Sequence, residues 1–161
     1  MLNIRLAGAN DEAAVWSILE PTVRTGDTYT LPRDMSREDA LSYWFSREHE
    51  VFVAEEDGVI LGTYFLRANQ RGGGSHVANC GYVTAPAATR RGIAGAMCAH
   101  SLERARSRNF RAMQFNFVVS TNESAVRLWQ RNGFQIVGCL PKAFLHPQAG
   151  YTDAYVMYRE L

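Results

Sequence analysis

The stretch Thr89-Arg90-Arg91-Gly92-Ile93-Ala94-Gly95 carries the clearest chemistry in this chain of 161 residues. A strand-like segment from His76 to Val83 leads through Pro86 into it, and an unbroken helical pattern follows from about Ile93 to Arg108. A glycine-containing turn that opens a helix leaves several backbone N–H groups without intrahelical acceptors, and the helix dipole adds positive potential there. Such a turn binds anions through its main chain. Arg90 and Arg91 add two positive charges inside it. A solvated face is the plainer reading of those two side chains.

The elements that must hold this turn follow from periodicity. Residues 2–6 alternate apolar and polar as a half-buried strand does. Asn10 or Asp11 then caps a helix whose stripe is Ala14, Val15, Ile18 and Leu19, and Pro21 is expected to end it. Residues 22–35 cluster Thr22, Thr25, Thr28, Tyr29 and Thr30 around Arg24 and Asp27, as either a surface loop or one that closes over a small-molecule site. Ser36 opens a second helix with Ala40, Leu41, Trp44 and Phe45 inward.

Val51–Ala54 and Val59–Leu66 read as strands joined at Asp57-Gly58, with mid-strand Gly62 marking a bulge or a close backbone approach. Gly72-Gly73-Gly74 precedes no helix, so it reads as a flexible connection and not a phosphate loop. In the fourth strand, His76, Ala78, Cys80 and Tyr82 share one face, and Val77, Asn79, Gly81 and Val83 the other. A buried Asn79 must find partners, either by locking a loop or by reading a polar group of a substrate. The helix after the turn has Ala94, Met97, Cys98, Ser101, Leu102 and Ala105 inward, with Asn109 as a left-handed cap. A fifth strand at 112–119, a helix from about Asn122 to Asn132-Gly133, a sixth strand at 134–140, a loop at 141–150 and a closing strand at 154–158 complete the chain. The order β-α-α-β-β-β-α-β-α-β-β gives a single α/β (α+β) domain with a sheet flanked by helices.

Composition narrows the function classes. Hydrophobic residues at 47% and charged residues at 20% are globular values, and a net charge of +1 gives no reason to expect nucleic acid or a membrane surface as partner. Cys80, Cys98 and Cys139 are isolated, which fits a reduced compartment and gives no metal-ligand spacing. No leader pattern or bilayer-length apolar run is visible, so a cytoplasmic location is the expectation.

Two segments match a known pattern. Val83-Thr84-Ala85-Pro86 followed by Thr89-Arg90-Arg91-Gly92-Ile93-Ala94 is similar to V-x-x-P with Q/R-x-x-G-x-G/A, and Asn122, Ala125, Leu128, Trp129, Gly133 and Phe134 follow N-x-x-A-x-x-L-Y-x-x-x-G-F. Together, in this order and context, they resemble the GNAT superfamily of acetyl-CoA-dependent N-acetyltransferases along essentially the whole chain. The resemblance implies a mixed, mostly antiparallel sheet whose fourth and fifth strands splay to admit the pantetheine arm. It implies acetyl-CoA as co-substrate, with no metal. Val83, Thr84, Thr89, Arg90, Arg91, Gly92, Ile93, Ala94, Gly95, Asn122, Ala125 and Trp129 would hold it, pantetheine pairing with strand four near Val83. A backbone N–H there would bind the thioester oxygen. Asn122 would hydrogen-bond pantetheine, a role compatible with a plain helix cap. Homodimers are frequent in the family.

Two positions depart from the pattern. Thr89 replaces a long polar side chain, so main chain and the neighbouring arginines must hold the phosphates. Trp129 replaces a tyrosine proposed to protonate the thiolate, and an indole N–H does not ionise. Trp129 is instead expected to wall the pantetheine tunnel. No carboxylate lies on strand four to serve as base. Glu55 and Glu56 are expected to face solvent. Asp153 and His146 could approach from the C-terminal loop, with a plain surface-loop position the favoured reading of His146, and a water chain ordered by Asn79, Asn116 or Tyr82 is expected to take the proton. Asn79, Tyr82 and Asn122 are thus the catalytic candidates. Tyr29, Tyr64, Asn79, Asn116 and Phe117 would form the acceptor pocket, suited to a small amine or amino-acid-like acceptor. A protein or peptide N-acetyltransferase and a non-catalytic acyl-CoA-binding protein are the alternatives.

Overall fold

The computed structural model describes residues 1–161, and its elements follow the expected order. The strands are β1 (Asn3–Leu6), β2 (Glu50–Glu56), β3 (Val59–Ala68), β4 (Val77–Thr84), β5 (Ala112–Val119), β6 (Gln135–His146) and β7 (Gly150–Glu160). The helices are α1 (Glu12–Thr25), α2 (Arg37–Trp44), α3 (Ile93–Ser107) and α4 (Glu123–Arg131). One seven-stranded sheet has the order β1-β2-β3-β4-β5-β7-β6. All neighbours are antiparallel except β4 and β5.

Period-2 alternation divides the sheet into two apolar faces. Phe52, Tyr64, Leu66, Ala78, Cys80, Met113 and Phe115 pack on α3 and α4 through Met97, Cys98, Leu102 and Trp129. Val51, Val53, Phe65 and Val83 pack on α1 and α2 through Val15, Ile18, Leu19 and Trp44. The expected faces of β4 therefore hold, with odd-numbered positions toward α1 and α2. Gly62 serves both expected purposes. It adjoins a register break between β2 and β3, and a Cβ there would meet Met97 Cε at 2.9 Å, so its absence lets α3 approach the sheet.

Two boundaries differ from expectation. Pro21 does not end α1, which continues to Thr25 and closes on Gly26 in the left-handed conformation. Pro21 is solvent-exposed, and Val23 beyond it is buried, so packing of the last turn overrides the lost backbone bond. Residues 141–150 are not a loop in the main. β6 runs on to His146 and pairs with β7 across a register break between Leu140 and Phe144, where Pro141 removes a ladder donor.

β1 is tied to the first turn of the chain by charge. Arg5 donates to both carboxylate oxygens of Asp11, at 2.8 and 3.0 Å, and to Glu55 at 2.7 Å, while Gly8 N–H adds a 2.7 Å bond to Asp11. The Arg5 bond holds the Asp11 carboxyl below its ordinary range, against the opposing effect of burial. Its folded pKa is thus lower than its unfolded one, so its stabilisation is present above about pH 4 and lost as pH falls through the folded value. Asp11→Asn is expected to cost about 1–2 kcal/mol at pH 7, allowing for the exposure of Arg5. Urea unfolding at pH 7 and pH 3 should show the difference from wild type shrinking at the lower pH.

Candidate active site

The site begins where one ladder stops. β4 and β5 pair only at Val77–Ala112 and Ala78–Met113. At the next position Asn79 Nδ2 donates to the Gln114 carbonyl at 2.9 Å, so a side chain takes the acceptor that a continued ladder would use. Beyond this point the two strands splay.

Antiparallel ladders alternate the direction of their backbone groups. Asn69 N–H bonds the Val77 carbonyl, Ala85 N–H bonds the Leu61 carbonyl, and the β3–β4 register between them is unbroken. Odd residues of β4 therefore address β3, and Cys80, Tyr82 and Thr84 turn their N–H and C=O groups into the splay. This corrects the expected Val83, whose backbone polar groups are used by β3. Thr84 remains available. Tyr29 Oη donates to the Tyr82 carbonyl at 3.0 Å, so one opening-facing acceptor is occupied by the loop before α2.

Below the splay an aromatic layer joins the parted strands. The Trp129 ring lies 5.0 Å from Tyr82 of β4 and 4.9 Å from Phe115 of β5, with Phe134 at 6.5 Å. Trp129 Nε1 makes no protein hydrogen bond, and no buried side-chain polar atom lacks a partner, so this N–H reaches solvent. Tyr82 contributes only its ring to this floor. Its hydroxyl shares a 2.7 Å bond with Ser101 Oγ under the sheet, and burial raises its pKa well above the ordinary value. Tyr82 is thus not the water-ordering group expected. Burial likewise pushes the Cys80 and Cys98 thiols up to about 12, which removes them as nucleophiles.

The anion cradle stands at the open end. Arg90 and Gly92 both adopt positive φ, 64° and 78°, so successive N–H groups turn to the same side. No side chain caps α3, and its first backbone bond runs from Ala96 to Gly92, leaving Ile93, Ala94 and Gly95 N–H unpaired. A Cβ at Gly92 would meet nothing within 4 Å, and one at Gly95 only Leu128 of α4, at 3.7 Å. This open donor set fits a diphosphate. Thr89 takes no part through its hydroxyl, which donates to the Pro86 carbonyl at 3.1 Å. Arg91 is ion-paired with Glu56, while Arg90 is exposed. On α4, Asn122 is not a side-chain cap. Its Oδ1 accepts a long 3.4 Å bond from Ser124, and its Nδ2 is free. Ala125 packs against the α3-side core.

On the opposite face of the sheet, Asn79 and Asn116 are linked through Gln114, while Tyr29 reaches the Tyr82 carbonyl further along β4. Gln114 Nε2 donates to Asn116 Oδ1 at 2.9 Å, and Asn116 Nδ2 donates to Asn69 Oδ1 at 2.7 Å. Phe117 sits in the β5 register break, 6.2 Å from Phe144. Tyr64 does not join them. It is fully buried on the α3 face, with its hydroxyl 2.6 Å from His100 Nδ1, because even-numbered β3 residues point away from the acceptor side. Of the possible bases, Glu55 and Glu56 pair with Arg5 and Arg91, Asp153 accepts from Lys142 N–H, and His146 accepts from Gln148 and Ala149 N–H.

His49 and Arg67, not singled out from sequence, flank this face. His49 stacks on Phe65 at 3.9 Å and lies 5.6 Å from Tyr43. Its Nδ1 is 2.9 Å from the Trp44 carbonyl, an acceptor only, so in the neutral ring Nδ1 carries the hydrogen and Nε2 keeps the lone pair. Burial lowers its pKa. Phe65 in turn lies over Gly81, where a Cβ would sit 2.6 Å from its ring. Parity with Thr63 and Phe65 was the available sequence signal for Arg67. His49 lies in the connection before β2, where no periodicity marks it. A concavity of about 600 Å³ lies at the paired end of β4 and β5, against His76, Arg111 and Leu161, away from the splay.

Comparison with known proteins agrees with this geometry. The family model "Acetyltransferase (GNAT) family" matches residues 14–134. A GCN5-related N-acetyltransferase from Kribbella flavida superposes with a TM-score of 0.95 at 38% identity, covering 99% of this chain and 98% of that one. N-acetyltransferase aca1 of Schizosaccharomyces pombe is 27% identical over 151 residues, 83% of this chain and 72% of the yeast protein. A GNAT superfamily phosphinothricin acetyltransferase from Sinorhizobium meliloti, solved with acetyl-CoA, shares the fold with a TM-score of 0.87 at 19% identity, covering 99% and 88%. With its splayed strands, its uncapped helix and both sequence motifs in place, the chain belongs to the acetyltransferase (GNAT) family.

Proposed function

We propose that the protein transfers an acetyl group from acetyl-CoA to the amine of a small acceptor. The carrying observation is a run of unpaired main-chain donors on both sides of one opening: Ile93, Ala94 and Gly95 at the helix, and the splay-facing edge of β4. That spacing suits an extended ligand with a diphosphate at one end and amides along its arm. Bound acetyl-CoA supplies an activated thioester whose C–S bond breaks as the N–C bond forms, leaving a thiolate.

The chain's own groups have distinct tasks. Splay-facing N–H groups of β4 hold the thioester oxygen as negative charge develops on it. Asn122 Nδ2 steadies the arm. The Trp129 N–H, a donor that does not ionise, hydrogen-bonds the sulfur without protonating it. His49, neutral with Nε2 free, takes the amine proton through water.

Calorimetric titration with coenzyme A and a thiol-release assay over an amine panel test this reading. Binding and turnover are expected, and absence of binding would sink it. Tight binding with no acceptor turned over would make the protein an acyl-CoA sensor instead. Gly95→Asp places a carboxylate in the cradle at a position helix termini tolerate. It is expected to weaken coenzyme A binding at least tenfold.

The pH profile follows from the lowered pKa of His49. A base that must be neutral stays active down to a lower pH, so the acid limb of kcat/KM should lie below the ordinary histidine value of about 6.5. His49→Gln should remove that limb and lower kcat by about 100-fold. An unchanged limb in the variant would dismiss His49 as the base.

A further inference from the structure

Three arginines lie on sheet strands, and two are committed. Arg5 is shared between Asp11 and Glu55, and Arg159 donates through Nη1 to the Asn132 carbonyl. Arg67 uses only Nε, on Asn79 Oδ1, at 3.4 Å, near the upper limit for such a bond. It forms no ion pair; the nearby Glu48, which feels its charge, bonds Arg71 through Oε1 at 2.8 Å. The Nη1 and Nη2 groups of half-buried Arg67 thus make no hydrogen bond or ion pair within the protein.

Its surroundings define what fits. Arg67 pairs in register with Asn79, the residue at which β4 and β5 part, so it sits at the closed end of the splay. The amides of Asn79, Gln114 and Asn116 each spend one N–H within the protein and keep a second. Tyr43, His49 and Phe65 wall the other side with rings. One guanidinium fork with neutral amide donors matches a planar monoanion, where a phosphate-sized dianion would call for more positive charge.

We propose that Arg67 binds a carboxylate of the acceptor, which makes the acceptor amino-acid-like, with free amine and carboxylate on one small molecule. This deepens the acetyl-transfer reading and rests on it for the direction of the amine. The carboxylate at Arg67 anchors the acceptor at the closed end of the splay and directs its amine along β4 toward the open main-chain groups.

Amino acids and their amides, compared as acceptors, test the assignment. Wild type is expected to favour the acids at least tenfold in kcat/KM, mostly through KM. Arg67→Gln should collapse that ratio toward one, and Arg67→Lys should restore part of it. Independently, N,N-dimethyl amino acids keep the carboxylate and have no N–H to acetylate. With coenzyme A present they should raise the Tm of wild type at millimolar concentration, and not that of Arg67→Gln. Equal use of acids and amides by wild type, a preference retained in Arg67→Gln, or stronger stabilisation by phosphonate analogues would overturn the proposal. Turnover of simple amines alone would remove the carboxylate site and leave acetyl transfer standing. Stabilisation by the dimethyl compounds without any turnover would do the reverse.

Discussion

The hydrogen bond from Asn79 Nδ2 to the Gln114 carbonyl fixes where the central ladder ends, and the rest of the site depends on that point. A parallel pair that stopped without it would leave a carbonyl unpaired beside a buried strand. With it, β4 and β5 separate after two paired positions, and Cys80, Tyr82 and Thr84 of β4 turn main-chain groups into the splay, where the Tyr82 carbonyl is taken by Tyr29. The same β4 runs on through Pro86 to the left-handed turn at Gly92. The splay-facing edge of β4 and the open donors at the start of α3 are therefore one continuous piece of chain. Their separation is set by sequence length and not by packing between remote elements.

That continuity explains what could be read in advance. A glycine with positive φ before a long helix, and a strand before it, are local features, and local features leave marks in sequence. The faces of β4 followed from parity alone. The Val83 assignment failed because side-chain parity says nothing about which ladder a backbone group serves. That question is decided by the β3 register, which fixes odd residues toward β3. Pro21 inside α1 and the extended β6–β7 hairpin were illegible for a related reason, since burial of Val23 and the pairing of β7 are tertiary facts that override local breakers.

The α1/α2 face of the sheet at the splay, where the acceptor is proposed to bind, is built in another way. His49 comes from the connection before β2, Arg67 from β3, Asn79 from β4, and Gln114 and Asn116 from β5. No spacing rule links them, because they meet only across strands. Tyr64 and Tyr82 illustrate the consequence. Both are polar aromatics beside the site in sequence, yet one-residue parity sends their hydroxyls to His100 and Ser101 beneath the sheet. Phe65 and Arg67, one step out of phase, face the acceptor side instead.

Trp129 links the two halves. An indole is wide enough to touch Tyr82 on one parted strand and Phe115 on the other, so it fills the gap that opening the ladder creates on the α3 side. A smaller ring would leave that floor less filled, at a cost set by the cavity remaining. Packing and proton donation make opposite demands at this position, since the side chain that best spans the floor has no ionisable proton. In the proposed transfer, Trp129 would leave the departing thiolate a hydrogen-bond donor and no proton. The proton balance falls on the amine side, where His49 and the uncommitted Arg67 face the same opening.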